Sequence, residues 1–155
     1  MKMVRLFYAA QARGAAWLDR LRSPLLLLIR LFWGWQFAVT GWGKLHHLDR
    51  VAEFFGTLGL PMPHATALMV GLVECVGGVL LALGLGSRIV ALVLFVNMTV
   101  AYWTADRDAL LGILSAPDKF YGADPFTFWF AALLVLIFGA GALALDTVVE
   151  RAAQS

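Results

Sequence analysis

Four apolar runs constrain this chain more than anything else in it: 24–42, 64–85, 88–105 and 125–145. A hydrocarbon core about 30 Å thick takes roughly 20 residues as helix, so each run is long enough to cross a bilayer. Inside lipid every backbone polar group must be satisfied internally, and continuous apolar runs of this length meet that demand as helices. Composition agrees where it matters. The chain is 61% hydrophobic and only 14% charged, against about half and about a quarter in soluble domains. The expected class is an all-α integral membrane protein, a four-helix bundle with amphipathic interfacial segments.

Charge placement gives an expected orientation. Lys2, Arg5, Arg13, Arg20, Arg22, Arg88 and Arg151 fall on one side of the runs, and Lys44, Arg50, Arg107 and Lys119 on the other. The richer side is the cytoplasmic one, so both termini are expected inside. Residues 1–22 read as a cytoplasmic basic amphipathic segment, 23–146 as the transmembrane domain and 147–155 as a cytoplasmic tail. Residues 1–22 contain no separate apolar region, and the first apolar run leads into Thr40-Gly41-Trp42-Gly43-Lys44 without a cleavage-site pattern, so that run is expected to be retained. Pro24 and Pro125 suit the first turn of a helix, with Ser23 and Asp124 placed as caps. Basic residues beside an apolar run point to anionic lipid, and no nucleic-acid motif is present.

Glu74 is the costly residue. It lies near the middle of run 64–85, where an ionisable side chain costs several kcal/mol in lipid, roughly 2.5–3.5 on insertion scales. Such a group faces inward and has a partner. At helical spacing Ala67, Gly71, Glu74, Gly78 and Leu81 share one face, as do Arg30, Gly34, Phe37, Gly41 and Lys44 on the first run. Small residues at that spacing let helix backbones approach. Arg30 sits about 9 Å into its run, within one arginine side chain of the depth of Glu74. Asn97 is near the midplane of the third run, and Gln36 lies at similar depth. The expected buried cluster is therefore Arg30, Glu74 and Asn97, with Gln36 as a further member. Two readings stand side by side: an ion pair that holds the helices in register, and a proton carrier or polar end of a ligand site at Glu74. A further alternative is that Glu74 faces another subunit. Arg88 and Asp146 form a second set of charges near the cytoplasmic face, and Lys44 closes the outer end of the first run as a snorkelling cation.

The remaining signals are weaker. His46, His47, Asp49 and Glu53, with His64 across the loop, match no metal spacing, so no metal site is expected. The stretches 48–58 and 109–121 read either as interfacial helices over the outer mouth or as plain linkers. Gly139 and Gly141 read as close helix packing. Trp33 and Trp35 are deep enough to line a pocket. Cys75 reads as a small packing residue, and as the single cysteine it excludes an intrachain dithiol relay.

Several stretches together resemble the DoxX family of small bacterial membrane proteins, including its DoxD-like subunits. They are Arg30-Leu-Phe-Trp-Gly34 with Gly41 and Lys44, the segment Phe54 to Pro61, Val73-Glu-Cys-Val-Gly-Gly78, Leu83-Gly-Leu-Gly-Ser-Arg88, and Gly139-Ala-Gly-Ala-Leu-Ala-Leu-Asp146. The resemblance implies a four-helix membrane bundle in the bacterial plasma membrane. DoxD-like members are linked to thiosulfate:quinone oxidoreduction, and some DoxX members to redox-stress complexes. The leading expectation is thus a subunit of a quinone-linked oxidoreductase, with quinone in an apolar slot, Glu74 carrying protons and a redox-protein partner bringing electrons. The alternatives are a non-enzymatic scaffold and a small-solute or proton pathway, the latter needing a homo-oligomer.

Overall fold

The computed structural model describes residues 2–153, all of whose regular structure is helical. In chain order the helices are α1 (Lys2–His46), α2 (Leu48–Thr57), α3 (Pro63–Leu83), α4 (Ser87–Ala105), α5 (Arg107–Leu111), α6 (Pro117–Gly122), α7 (Pro125–Phe138) and α8 (Leu145–Ala153). Three carry windows long and apolar enough to cross a membrane: Trp17–His46 in α1, then α3 and α4. The fourth, α7, is apolar but shorter. Helices α1, α3, α4 and α7 meet in a ring, each packed on the next and α7 returning to α1. The outer surface of that ring is apolar, with Leu28, Phe32, Trp35, Leu72, Val76, Ile89 and Val96 all exposed. Such a surface suits acyl chains, and the chain is an integral membrane protein with an all-α helical bundle.

The first helix departs from expectation. Pro24 does not begin a helix but lies inside α1, which continues from Lys2 through to His46. A proline here removes one ladder hydrogen bond, yet lipid offers the freed backbone no better partner than its own helix. The boundary expected at residues 22 and 23 therefore falls within one element. Ser23 does not cap it either: its Oγ accepts a hydrogen bond from the Ala142 amide at 3.1 Å.

Glycine sets the tightest interface, between antiparallel α1 and α3. A Cβ at Gly34 would stand 2.7 Å from the Gly78 carbonyl oxygen and the Ala82 nitrogen, and one at Gly41 would stand 2.7 Å from the Gly71 carbonyl oxygen. These are backbone atoms that cannot step aside. The stripe Ala67, Gly71, Glu74, Gly78 and Leu81 is the buried face of α3, as its spacing predicted. Phe37, Leu81, Ala91, Leu94, Met98, Ala132 and Val135 fill the centre of the ring. A smaller core of Tyr102, Ala109 and Phe120 roofs one end, where the Tyr102 hydroxyl donates to the Phe120 carbonyl at 2.7 Å.

The last apolar run is broken. α7 stops at Phe138, and Gly139 (φ +76°) and Gly141 (φ +77°) carry the chain into a non-helical segment before α8. Distant arginines replace the lost ladder: Arg22 Nη2 donates to the Phe138 carbonyl at 3.0 Å and Arg30 Nη2 to the Leu143 carbonyl at 2.5 Å. These glycines thus make a turn, and the expected close packing holds at Gly141, where a Cβ would stand 3.3 Å from the Ser23 Cα of α1. The Arg88 guanidinium lies against Gly139.

Candidate functional site

The Glu74 carboxylate is 1% exposed, and its charge is met by Lys44, not by Arg30. Lys44 Nζ forms a hydrogen-bonded ion pair with Oε2, and the Thr40 hydroxyl approaches the same oxygen at 3.4 Å. Asn97 Nδ2 donates to Oε1 at 3.1 Å, as the sequence led us to expect. The cluster thereby ties α1, α3 and α4 together. Gln36 takes no part through its side chain; only its backbone carbonyl receives the Thr40 hydroxyl.

Helix register explains why Arg30 is elsewhere. Across the α1–α3 contact, Gly34 meets Gly78, Gly41 meets Gly71 and Cys75, and Leu45 meets Gly71. Extending that antiparallel alignment puts Arg30 beside residues 82–86, and its guanidinium does lie against Gly84. Arg30 is fully buried there, with Nη2 bonded to Leu143 and with Nε and Nη1 lacking any hydrogen-bond partner. Lys44 is the α1 cation whose stem reaches back one turn to Glu74.

Asp146 acts at the same end as Arg30. Its Oδ1 accepts from the Gly86 amide at 2.7 Å and its Oδ2 from the Ser87 amide at 2.9 Å, so it caps the start of α4 across 60 residues of chain. A carboxylate also complements the positive end of the helix dipole. Partial burial pushes this carboxyl up. The hydrogen bonds from Ser87 and Gly86, with the field of Arg30, outweigh that and hold it below its usual range. Arg88 does not pair with Asp146; it packs on the Gly139 turn.

A cavity of about 610 Å³ opens beside Glu74. Its walls are mostly apolar: Phe54, Phe55 and Leu58 of α2, Met69, Val70 and Val73 of α3, Val93, Val96 and Val100 of α4, and Phe128 of α7. Polar atoms enter at Thr40, Lys44, Glu74, Asn97 and Thr104, with Asp106 and Asp124 also on the lining. An apolar cavity with a few convergent polar groups is the usual form of a small-molecule site. Lys44 and Asn97 are donors and the carboxylate is an acceptor, so the polar end can bind a carbonyl or a hydroxyl and hold a proton.

Neither deep tryptophan lines this space. Trp33 stands one layer behind, edge-on to Phe128 at 5.1 Å, and Trp35 is exposed on the lipid face. Cys75 is part-buried beside Gly41. His46 and His47 turn Nδ1 to the Trp42 and Gly43 carbonyls of their own turn, and His64 lies 3.8 Å from Asp49. Among the described residues no three His, Cys, Asp or Glu side chains converge. Sequence reasoning placed Thr104 on the Asn97 face, missed Thr40 and Asp106, and gave Lys44 only a boundary role. Thr40 and Lys44, one turn apart and within reach of the Glu74 level, were the available signal.

Comparison with known proteins bears on this architecture. A family model described as DoxX matches residues 25–107, which take in α1 from Leu25 onward and all of α2, α3 and α4. The chain belongs to the DoxX family. Among its DoxX-like relatives, CatD of Bacillus subtilis (strain 168), a protein named provisionally as an oxidoreductase, is 32% identical over 117 residues, 66% of this chain and 86% of CatD. The inner membrane protein YphA of Escherichia coli (strain K12) is 30% identical over 138 residues, 81% of this chain and 90% of YphA. No solved structure matches significantly. The family match takes in Arg30, Lys44, Glu74 and Asn97, and so contains the whole polar cluster.

Proposed function

We propose that this DoxX-family protein is the quinone-binding subunit of an oxidoreductase in the bacterial inner membrane, with four crossings and both termini in the cytoplasm. One observation carries the reading: a buried carboxylate held by donors from Lys44 and Asn97 forms the polar end of a largely apolar cavity of about 610 Å³ that opens on the flank of the helical bundle. The provisional naming of CatD as an oxidoreductase and the naming of YphA as an inner membrane protein support it.

In this reading the apolar walls hold the ring and tail, while Lys44 and Asn97 present N–H groups to a ring oxygen. Quinone reduction consumes two electrons and two protons. Glu74, a carboxylate at rest, first takes up a proton from water and then passes it to one ring oxygen. The other ring oxygen takes the second proton from water, so that two protons accompany the two electrons. The electrons come from a redox-protein partner, since one cysteine cannot supply a dithiol.

Photoaffinity labelling in native membranes tests the proposal. A quinone carrying a photoreactive tail should crosslink to α2 and α4 peptides, be displaced by unlabelled quinone, and label Glu74→Gln membranes more weakly. Labelling that is not displaced by quinone, or that spreads over the lipid-facing surface, overturns it. A scaffold is the second reading, favoured because the same cluster joins three helices. It predicts that Glu74→Gln leaves both labelling and partner co-purification intact.

A further inference from the structure

We infer that Glu74 communicates with water on one face of the membrane only, the face bearing α2, α5 and α6, along a route past Thr104 and Asp106. This rests on the reading of Glu74 as a proton carrier, and adds where its proton comes from.

The open side is built from two adjoining cavities. The one at Glu74 shares Thr104, Ala105 and Asp106 with a second, of about 620 Å³, whose lining includes Arg107, Asp108, Asp118 and Lys119. That second space is lined by charged surface side chains and belongs to the aqueous edge. Between the two ends, Asn97 and Thr104 stand two turns apart on α4, both on the cavity wall. A file of about three waters covers that distance of about 10 Å. Asn97 anchors one end, and the Thr104 hydroxyl, which donates to the Val100 carbonyl at 2.9 Å, accepts from water at the other. The charged groups facing the Glu74 cavity are Lys44 from α1, Asp106 after α4 and Asp124 before α7. α2 faces it with apolar side chains.

The other direction is shut twice. Phe37, Leu81 and Leu94 are fully buried in the layer between Glu74 and the Gly84 turn, and Gly34 and Gly78 bring α1 and α3 into backbone contact there. Beyond that layer sits the buried guanidinium of Arg30, a fixed positive charge that adds an electrostatic barrier to protons. The bundle is therefore a one-sided well and not a proton channel.

Thiol accessibility tests this without any assay of turnover. In a Cys75→Ala background, Glu74→Cys, Thr104→Cys and Leu81→Cys are each exposed to a membrane-impermeant thiol reagent, in sealed vesicles of either orientation. Arg88→Cys marks the Gly84 side. Glu74→Cys and Thr104→Cys should label from the side opposite to Arg88→Cys, and Leu81→Cys from neither. Labelling of Glu74→Cys from the Arg88 side, or from neither side, overturns the inference. If Glu74→Cys fails to fold, Asn97→Cys reads the same cavity by the same criteria. Quinone crosslinking is scored separately, so either idea can fail alone.

Discussion

Lys44 and Glu74 lie 30 residues apart in the chain and meet as an ion pair whose carboxylate is 1% exposed and whose lysine is 29% exposed. That asymmetry decides how the pair breaks. Lys44→Met strands a buried carboxylate, and losses for such cuts run about 3–5 kcal/mol; the part-exposed lysine places this one near the lower end. Glu74→Gln should cost less, because the freed lysine can swing its head to the interface. The double variant should be more stable than Lys44→Met alone. Reversible unfolding in mixed micelles measures all three, and a Lys44→Met protein as stable as wild type would refute the argument.

The α1–α3 seam should be intolerant of single methyl groups. A Cβ at Gly78 would stand 2.5 Å from the Gly34 carbonyl oxygen, so Gly78→Ala must push the helices apart. We expect a loss of about 1–3 kcal/mol, as for other overpacked interiors. Gly43, two residues beyond Gly41, has nothing within 4 Å of its Cβ position. Gly43→Ala should be neutral or stabilising by up to about 1 kcal/mol. The same unfolding measurement separates the two sites.

Asp146 makes part of the fold's stability sensitive to acid. Its folded carboxyl titrates below the ordinary value of 3.8, because Ser87, Gly86 and Arg30 favour the charged form. A depressed carboxyl binds fewer protons in the folded state than in the unfolded state. Its contribution is therefore complete above about pH 3.8 and is lost as pH falls through the folded value. Asp146→Asn should lower stability at neutral pH and flatten the decline below pH 3.8. Helical circular dichroism across an acid series follows both effects.

Gly84 and Arg30 should show coupling. Gly84 has φ +71°, and a Cβ there would land on the Arg30 guanidinium. Gly84→Ala should carry both the left-handed backbone penalty of about 1–2 kcal/mol and the clash. Adding Arg30→Met should remove the guanidinium clash and leave the backbone term and the close contact with the Ala144 Cβ at 2.8 Å. A double-mutant cycle with no coupling would mean that Arg30 moves aside freely.

Much of this arrangement was legible in residue spacing. The glycine stripes named the facing surfaces of α1 and α3, and Asn97 was placed beside Glu74 from depth alone. The error over Arg30 came from counting depth along each run separately, which does not show how the two helices are offset against each other. The glycines held a better ruler. Setting Gly34 against Gly78 and Gly41 against Gly71 places Arg30 opposite Ala82 and Glu74 opposite Ala38, with Thr40 and Lys44 nearby. Other features had no local signature. Gly77 and Gly78 sit inside a helix while Gly139 and Gly141 end one, and the difference is made by arginines more than 50 residues away. Asp146 capping α4 is likewise a product of packing.

The early stop of α7 bears on where such a molecule can live. Fourteen residues span about 21 Å, roughly 9 Å less than a typical hydrocarbon core. A bilayer meeting this flank must thin locally or draw residues 139–144 inward, and either response carries an elastic cost that grows with membrane thickness. The protein is consequently matched to thin membranes on one side of its circumference, and thickening the lipid would press first on the turn that Arg22, Arg30 and Arg88 hold.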